Sequence, residues 1–345
     1  MIKSWAFEFM SADPELEANF DPQKSMELFN FYLDMWVRAE DQGYYGVLLS
    51  EHHFGSAYMP SPNLMLPLIA QRTKHMRVGV MGNVLPYHSP WRMVEEFGML
   101  DNLCGGRLEI GLSAGIPAEF RRIGIQTGEA RSRFDEAVEI IDTGLKKGVI
   151  NHKGDYWNLQ DLPITPRPVQ QPAPPMWTTV ISLESARKSA ARGLKIATGF
   201  VSTAKAKEIV DSYNEEAIAN GNPSGPDQIA LRRQVIIDAD EATAIECGKQ
   251  FSEGFRAFLE NIDDRTIKTD SRQALDSPGA HSYSLGDDEF IVGSPDQVAE
   301  QIIEQCNISG VGNFQVVFSG NGSLDQLARS WELFGSDVIP LLNKA

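Results

Sequence analysis

At 345 residues the chain is long enough for two domains of roughly 150 residues, or for one larger α/β barrel. Hydrophobic residues at 42% and charged residues at 23% exclude a disordered or fibrous chain, and 47 acidic against 31 basic side chains, a net charge of −16, make nucleic acid and anionic membrane surfaces poor partners. Three scattered cysteines, Cys104, Cys247 and Cys306, support neither a disulfide framework nor a metal knuckle, and no apolar leader or spanning run is present, so a soluble, cytoplasmic, metal-free protein is expected.

Short β-like runs alternate with helical periods along nearly the whole chain. Ile2 to Phe9 is the first run. A helix follows with Met26, Phe29, Leu33 and Trp36 as its apolar stripe and Gly43 as its stop. Gly46 to Ser50 is the second strand and Arg77 to Asn83 the third, after which Ser89 and Pro90 open a helix. Leu108 to Leu112 is the fourth. The next helix carries Phe134, Val138, Ile141 and Leu145 on one face, with Ser132 and Asp135 expected to cap its start and Gly148 beyond its end. Residues 151–175, with six prolines, read as an extended insertion. Met176 to Val180, Lys195 to Thr198 and Ile229 to Ile237 are strands five to seven, and a helix runs from Glu241 to about Asn261. Residues 262–289 are polar and without period, and read as a second insertion, a mobile lid over the site. A capping box at Ser294 and Gln297 starts another helix, Asn313 to Phe318 is strand eight, and Ser323 opens the last helix. Eight βα pairs predict a (β/α)8 barrel in a single domain over 1–345. A doubly wound dinucleotide fold shares the alternation, but Gly111-Leu112-Ser113-Ala114-Gly115 lacks its third glycine.

In such a barrel the chemistry lies at the C-terminal strand ends. Strand two ends in Ser50-Glu51-His52-His53-Phe54, whose adjacent histidines point to opposite faces and are poorly placed to share a metal. Ser113 follows strand four among small residues. Ser182 and Ser185 begin a helix whose free N–H groups favour a phosphate, and Arg131 is a candidate cation for it.

The ordered set Glu51-His52-His53-Phe54, Val84-Leu85-Pro86 with Pro90, Leu100-Asp101 with Gly105-Gly106-Arg107, Phe120 to Gly124, and the tail Phe334 to Pro340 resembles the bacterial luciferase-like flavin monooxygenases, closest in pattern to the luciferase alpha chain. That resemblance implies a barrel using reduced FMN, supplied by a separate reductase, and dioxygen, through a flavin C4a peroxide, to oxidise a small organic substrate such as an aldehyde. It implies His52 as the catalytic histidine, Ser113 at the place of a reactive cysteine, and Arg131, Ser182 and Ser185 as phosphate contacts. It also implies a cis peptide at Met81-Gly82 beneath the flavin ring, and a dimer. Ala114 stands where the luciferase alpha chain carries a phosphate-reaching arginine. Phe7, Met81 and Trp177 are expected to keep the mouth dry. A noncatalytic flavin-binding protein and a deazaflavin-dependent dehydrogenase are the competing readings.

Overall fold

The structure, a computed structural model, describes residues 1–12, 14–54, 57–253, 287–318 and 323–345. Its strands are β1 (Lys3–Glu8), β2 (Gly46–Leu49), β3 (Arg77–Val84), β4 (Leu108–Ser113), β5 (Val149–Lys153), β6 (Asn158–Pro163), β7 (Met176–Val180), β8 (Lys195–Thr198), β9 (Ile229–Ile237), β10 (Phe290–Gly293) and β11 (Asn313–Phe318). Eight of them, β1 to β4, β7 to β9 and β11, coincide with the eight expected runs and alternate with helical segments.

The chain falls into two compact units. One comprises residues 8–40 and 46–179. Its ladder β2-β3-β4-β7 is parallel throughout, with Val47 opposite Val78, Val80 opposite Ile110 and Leu112 opposite Thr178. Near-continuous apolar runs suit this arrangement, because helices cover a parallel sheet and both strand faces are buried; β2 is buried over its whole length. The register of β3 against β4 shifts between Val80 and Asn83, and the Met81–Gly82 peptide inside that shift is cis, as expected, although the bond lies within β3 rather than after it.

The other unit comprises residues 1–7, 41–45 and 180–345. Here β9 pairs with β11 along one edge, while its other partners are β8 on its N-terminal half and β10 on its C-terminal half, all parallel. β10 is a strand that sequence reading left unassigned. Its four residues are too short to show a period. The lid expected over 262–289 lies outside the described residues, apart from a single 3-10 turn at Asp287–Glu289.

Three local expectations are corrected. Helix Pro22–Arg38 buries Leu28, Tyr32, Met35 and Trp36, and leaves Met26 and Phe29 exposed, so the stripe is rotated from the one expected. Both sets obey helical spacing, and only the packing partner selects between them. Helix Thr127–Lys147 starts five residues before Ser132, which instead donates its hydroxyl to the Gly128 carbonyl at 3.2 Å inside the helix. The insertion after strand four is a β5-β6 antiparallel hairpin followed by an extended, proline-rich stretch. Its hairpin is held by the Glu136 carboxylate, which accepts the N–H groups of Asp155, Tyr156 and Trp157.

Candidate active site

The C-terminal ends of β2, β3 and β4 bring one polar network together within a single unit. β2 runs into Ser50, whose N–H donates to the Glu8 carbonyl at 3.0 Å and so continues the sheet into the Glu51-His52-His53 segment. Beyond β3 the chain makes a 3-10 turn, Leu85–Tyr87, ahead of His88. Beyond β4, Gly115 takes a φ of +81°, where a Cβ would meet the Phe120 ring at 2.8 Å, and helix Pro117–Ile123 begins. Phe120 packs with Val84 and Ala130, with Tyr87 and Ile125 against that cluster, which fixes the start of this helix under the β3 turn. Arg122 reaches back to the Phe54 carbonyl at 2.9 Å.

Two buried carboxylates organise the network. Glu51, 3% exposed, accepts from His53 Nε2 at 3.0 Å, His88 Nε2 at 2.9 Å and the Val84 N–H at 2.9 Å. Burial opposes its charge, but the His88 and His53 hydrogen bonds outweigh burial and hold it below the usual carboxylate value. Burial likewise lowers His88, and Glu51 more than offsets this, leaving the imidazole raised. Glu119, in the first turn of helix 117–123, has Oε1 3.2 Å from His52 Nδ1, accepts the His53 N–H at 3.0 Å, and takes the Tyr87 hydroxyl on Oε2 at 3.0 Å. Those bonds again outweigh burial and keep Glu119 ionised, and burial together with the Glu119 charge pushes the Tyr87 phenol up.

The two histidines use different carboxylates, in line with the opposite faces expected of adjacent residues on extended chain. The His52 ring stacks on Phe9 at 5.5 Å and 29°, and its side chain is 31% exposed. At the end of β1, Glu8 folds back to accept the Phe9 and Met10 N–H groups, and burial pushes its carboxyl from the ordinary 4.5 up to about 7. Among the described residues no group of three or more His, Cys, Asp or Glu side chains is placed to hold a metal ion.

The remaining expected site residues are dispersed. Ser113 turns its hydroxyl onto the Gly115 N–H at 3.1 Å. β3 and β4 approach closely at Gly82 and Gly111: a Cβ on Gly111 would lie 2.2 Å from the Val80 carbonyl oxygen, so strand packing alone demands glycine there. Met81 is buried, 3% exposed. Arg131 lies inside its helix, not ahead of a cap, 3.7 Å from Asp135 and half exposed. In the other unit, Ser182 and Ser185 form a capping box at the start of helix Leu183–Ala191, with hydroxyls 2.9 Å apart. Trp177 donates to Glu109 at 2.6 Å, and Glu109 pairs with Arg77, the first residue of β3, so this indole sits toward the N-terminal strand ends rather than at the mouth. Sequence reading missed Glu119, Tyr87 and His88. Glu119 looks like an ordinary acid complementing a helix N-terminus, and nothing in the sequence joins it to a histidine 67 residues earlier.

Residues 15–311 match the family model described as luciferase-like monooxygenase. An uncharacterized protein of Sinorhizobium fredii is 35% identical over 199 residues, 56% of this chain and 58% of its own length. The oxygenase component of a flavin-dependent trigonelline monooxygenase of Acinetobacter baylyi is 25% identical over 254 residues, 71% of this chain and 70% of its own. Among solved structures, the oxygenating constituent of 3,6-diketocamphane monooxygenase of Pseudomonas putida, in complex with FMN, superposes with a TM-score of 0.79 at 22% identity, covering 99% and 98% of the two chains. An F420-dependent secondary alcohol dehydrogenase superposes with a TM-score of 0.73 at 14% identity, covering 99% of each. These superpositions, with the parallel ladders above, make the fold a (β/α)8 barrel. No helix among the described residues is long and apolar enough to cross a membrane.

Proposed function

We propose, given that the chain belongs to the luciferase-like monooxygenase family, that its single barrel domain over 1–345 is the oxygenase component of a two-component system, receiving reduced FMN from a separate reductase and oxidising a small organic substrate. Family membership already makes it an oxidoreductase. The observation that carries the reading is His52, at the end of β2 where barrel enzymes do their chemistry, with one ring nitrogen engaged by a buried carboxylate and an imidazole partly open to solvent.

The donor set fits a flavin mononucleotide. We assign Ser182 and Ser185, at the N-terminus of helix Leu183–Ala191, to the phosphate, together with Arg131, whose guanidinium lies 3.7 Å from Asp135 and over the Phe134 ring. We assign the Met81–Gly82 segment and Ser113 to the flavin ring. Reduced FMN, when bound, supplies the electrons and activates dioxygen. The chain's own residues position the substrate, shield it from water, and hold or accept a proton at His52. An aldehyde, ketone or N-heterocycle fits this chemistry. We also propose that two copies pair, through the apolar side chains Met26, Phe29, Leu64, Leu68, Met99 and Leu103 left exposed in the first unit.

The F420-dependent structural neighbour favours one second reading, hydride transfer to or from a deazaflavin. Mixing the protein anaerobically with reduced FMN or with reduced F420, then adding dioxygen, separates the two. The proposal expects tight binding of reduced FMN and rapid oxygen uptake. Oxygen-insensitive turnover with F420 alone would support the dehydrogenase, and binding without turnover of either would support a noncatalytic flavoprotein.

A further inference from the structure

Four histidine rings among the described residues contact a carboxylate. His53, His88 and His152 all do so through Nε2, at 3.0 Å and 2.9 Å from Glu51 and 3.1 Å from Glu136. His52 alone does so through Nδ1. The neutral ring has one N–H, and the nitrogen facing an ionised carboxylate carries it, because a carboxylate can only accept. Three histidines are thereby fixed as Nε2–H tautomers and one as Nδ1–H.

We propose that Glu119 is a positioning residue that holds His52 in the Nδ1–H tautomer and thereby presents Nε2 as the proton acceptor of the site. The inference rests on the reading of His52 as the catalytic side chain. Its geometry is over-determined: Glu119 is 5% exposed, anchored by the His53 N–H on the same oxygen and by the Tyr87 hydroxyl on the other, and carried on a helix start packed through Phe120. Stacking on Phe9 sets the imidazole plane. Among the described residues no partner contacts Nε2. A proton taken at Nε2 from a substrate O–H or N–H makes an imidazolium whose charge faces the Glu119 carboxylate, and the same nitrogen can return the proton later in the cycle. Glu51 is excluded from this task, since both its oxygens are committed to His53, His88 and the Val84 N–H.

The test is 15N–1H long-range correlation NMR of the imidazole rings in the ligand-free full chain at a pH where they are neutral, with His52 assigned by His52→Gln. The wild type should show a pyrrole-type Nδ1 and a pyridine-type Nε2 at His52, opposite to His53 and His88. Glu119→Ala should move His52 to the Nε2–H form that free imidazole side chains prefer in water. Glu119→Gln, which keeps an oxygen for both N–H groups, should retain Nδ1–H, and Tyr87→Phe should leave it unchanged. In turnover, Glu119→Ala should lower kcat roughly 10- to 100-fold with KM nearly constant, and Glu119→Gln should recover part of it. A wild-type His52 found as Nε2–H, or a tautomer indifferent to Glu119→Ala, overturns the inference whatever the activity, and the wild-type spectrum alone decides if the alanine variant does not fold. The expected tautomers with no oxygenase activity would leave Glu119 in place and defeat the catalytic reading of His52 instead.

Discussion

Glu8 and the Glu51–His88 pair both contribute stability that fades as pH rises. The folded state raises Glu8 from 4.5 to about 7, so its contribution is fully present below 4.5 and is lost as pH rises through about 7, where the fold must hold an unwanted charge. Glu8→Gln keeps an acceptor for the Phe9 and Met10 N–H groups without that charge. Urea denaturation should find the variant close to wild type at about pH 4 and more stable at about pH 8. His88 is raised and Glu51 lowered, so their pairing stabilises the fold from below the ordinary histidine value of 6.5 and fades as pH rises through the folded His88 value. His88→Gln should cost on the order of 2 kcal/mol near pH 6, less than a fully buried pair because the imidazole is a third exposed, and little near pH 9. His52→Ala removes neither carboxylate. With reduced FMN it should keep binding flavin, while product per dioxygen falls and released hydrogen peroxide rises; unchanged coupling would remove His52 from the mechanism.

Elements whose pattern carries their own boundary conditions were legible in the sequence. β2 and β3 are largely apolar runs between turn signals, and they appear where expected, as does β9 although it carries Arg232, Arg233 and Gln234 at its centre. Gly148 ends its helix in the left-handed region, again as expected. Helix Pro22–Arg38 shows where legibility stops: Met26 and Phe29 are as apolar as Leu28 and Met35, and only the packing partners decide which face is buried. Leu28→Ala should therefore cost about 2–4 kcal/mol and Met26→Ala within about 0.5 kcal/mol, read by thermal unfolding in the Leu68→Glu, Met99→Glu background, where no second copy covers Met26. Equal losses would contradict the observed rotation of the helix. The candidate site divides the same way. His52 could be found because it ends a strand, whereas Glu119 could not, because its partnership is made by the return of the chain after β4.

For the whole molecule, the family relationship makes the chain an oxidoreductase. Pairing of two copies is tested by sedimentation velocity: wild type should run as a dimer, and Leu68→Glu with Met99→Glu as a folded monomer, whereas a monomeric wild type would leave that face unpartnered. The proposed reaction inserts one atom of dioxygen into a small substrate with electrons delivered by reduced FMN. It is tested most directly by mass spectrometry of products from a panel of aldehydes, ketones and N-heterocycles incubated with the protein, reduced FMN and 18O2. One labelled oxygen in the product and the other in water is the expected result. Product without label, or substrate oxidation that proceeds only with F420 and without dioxygen, would contradict it.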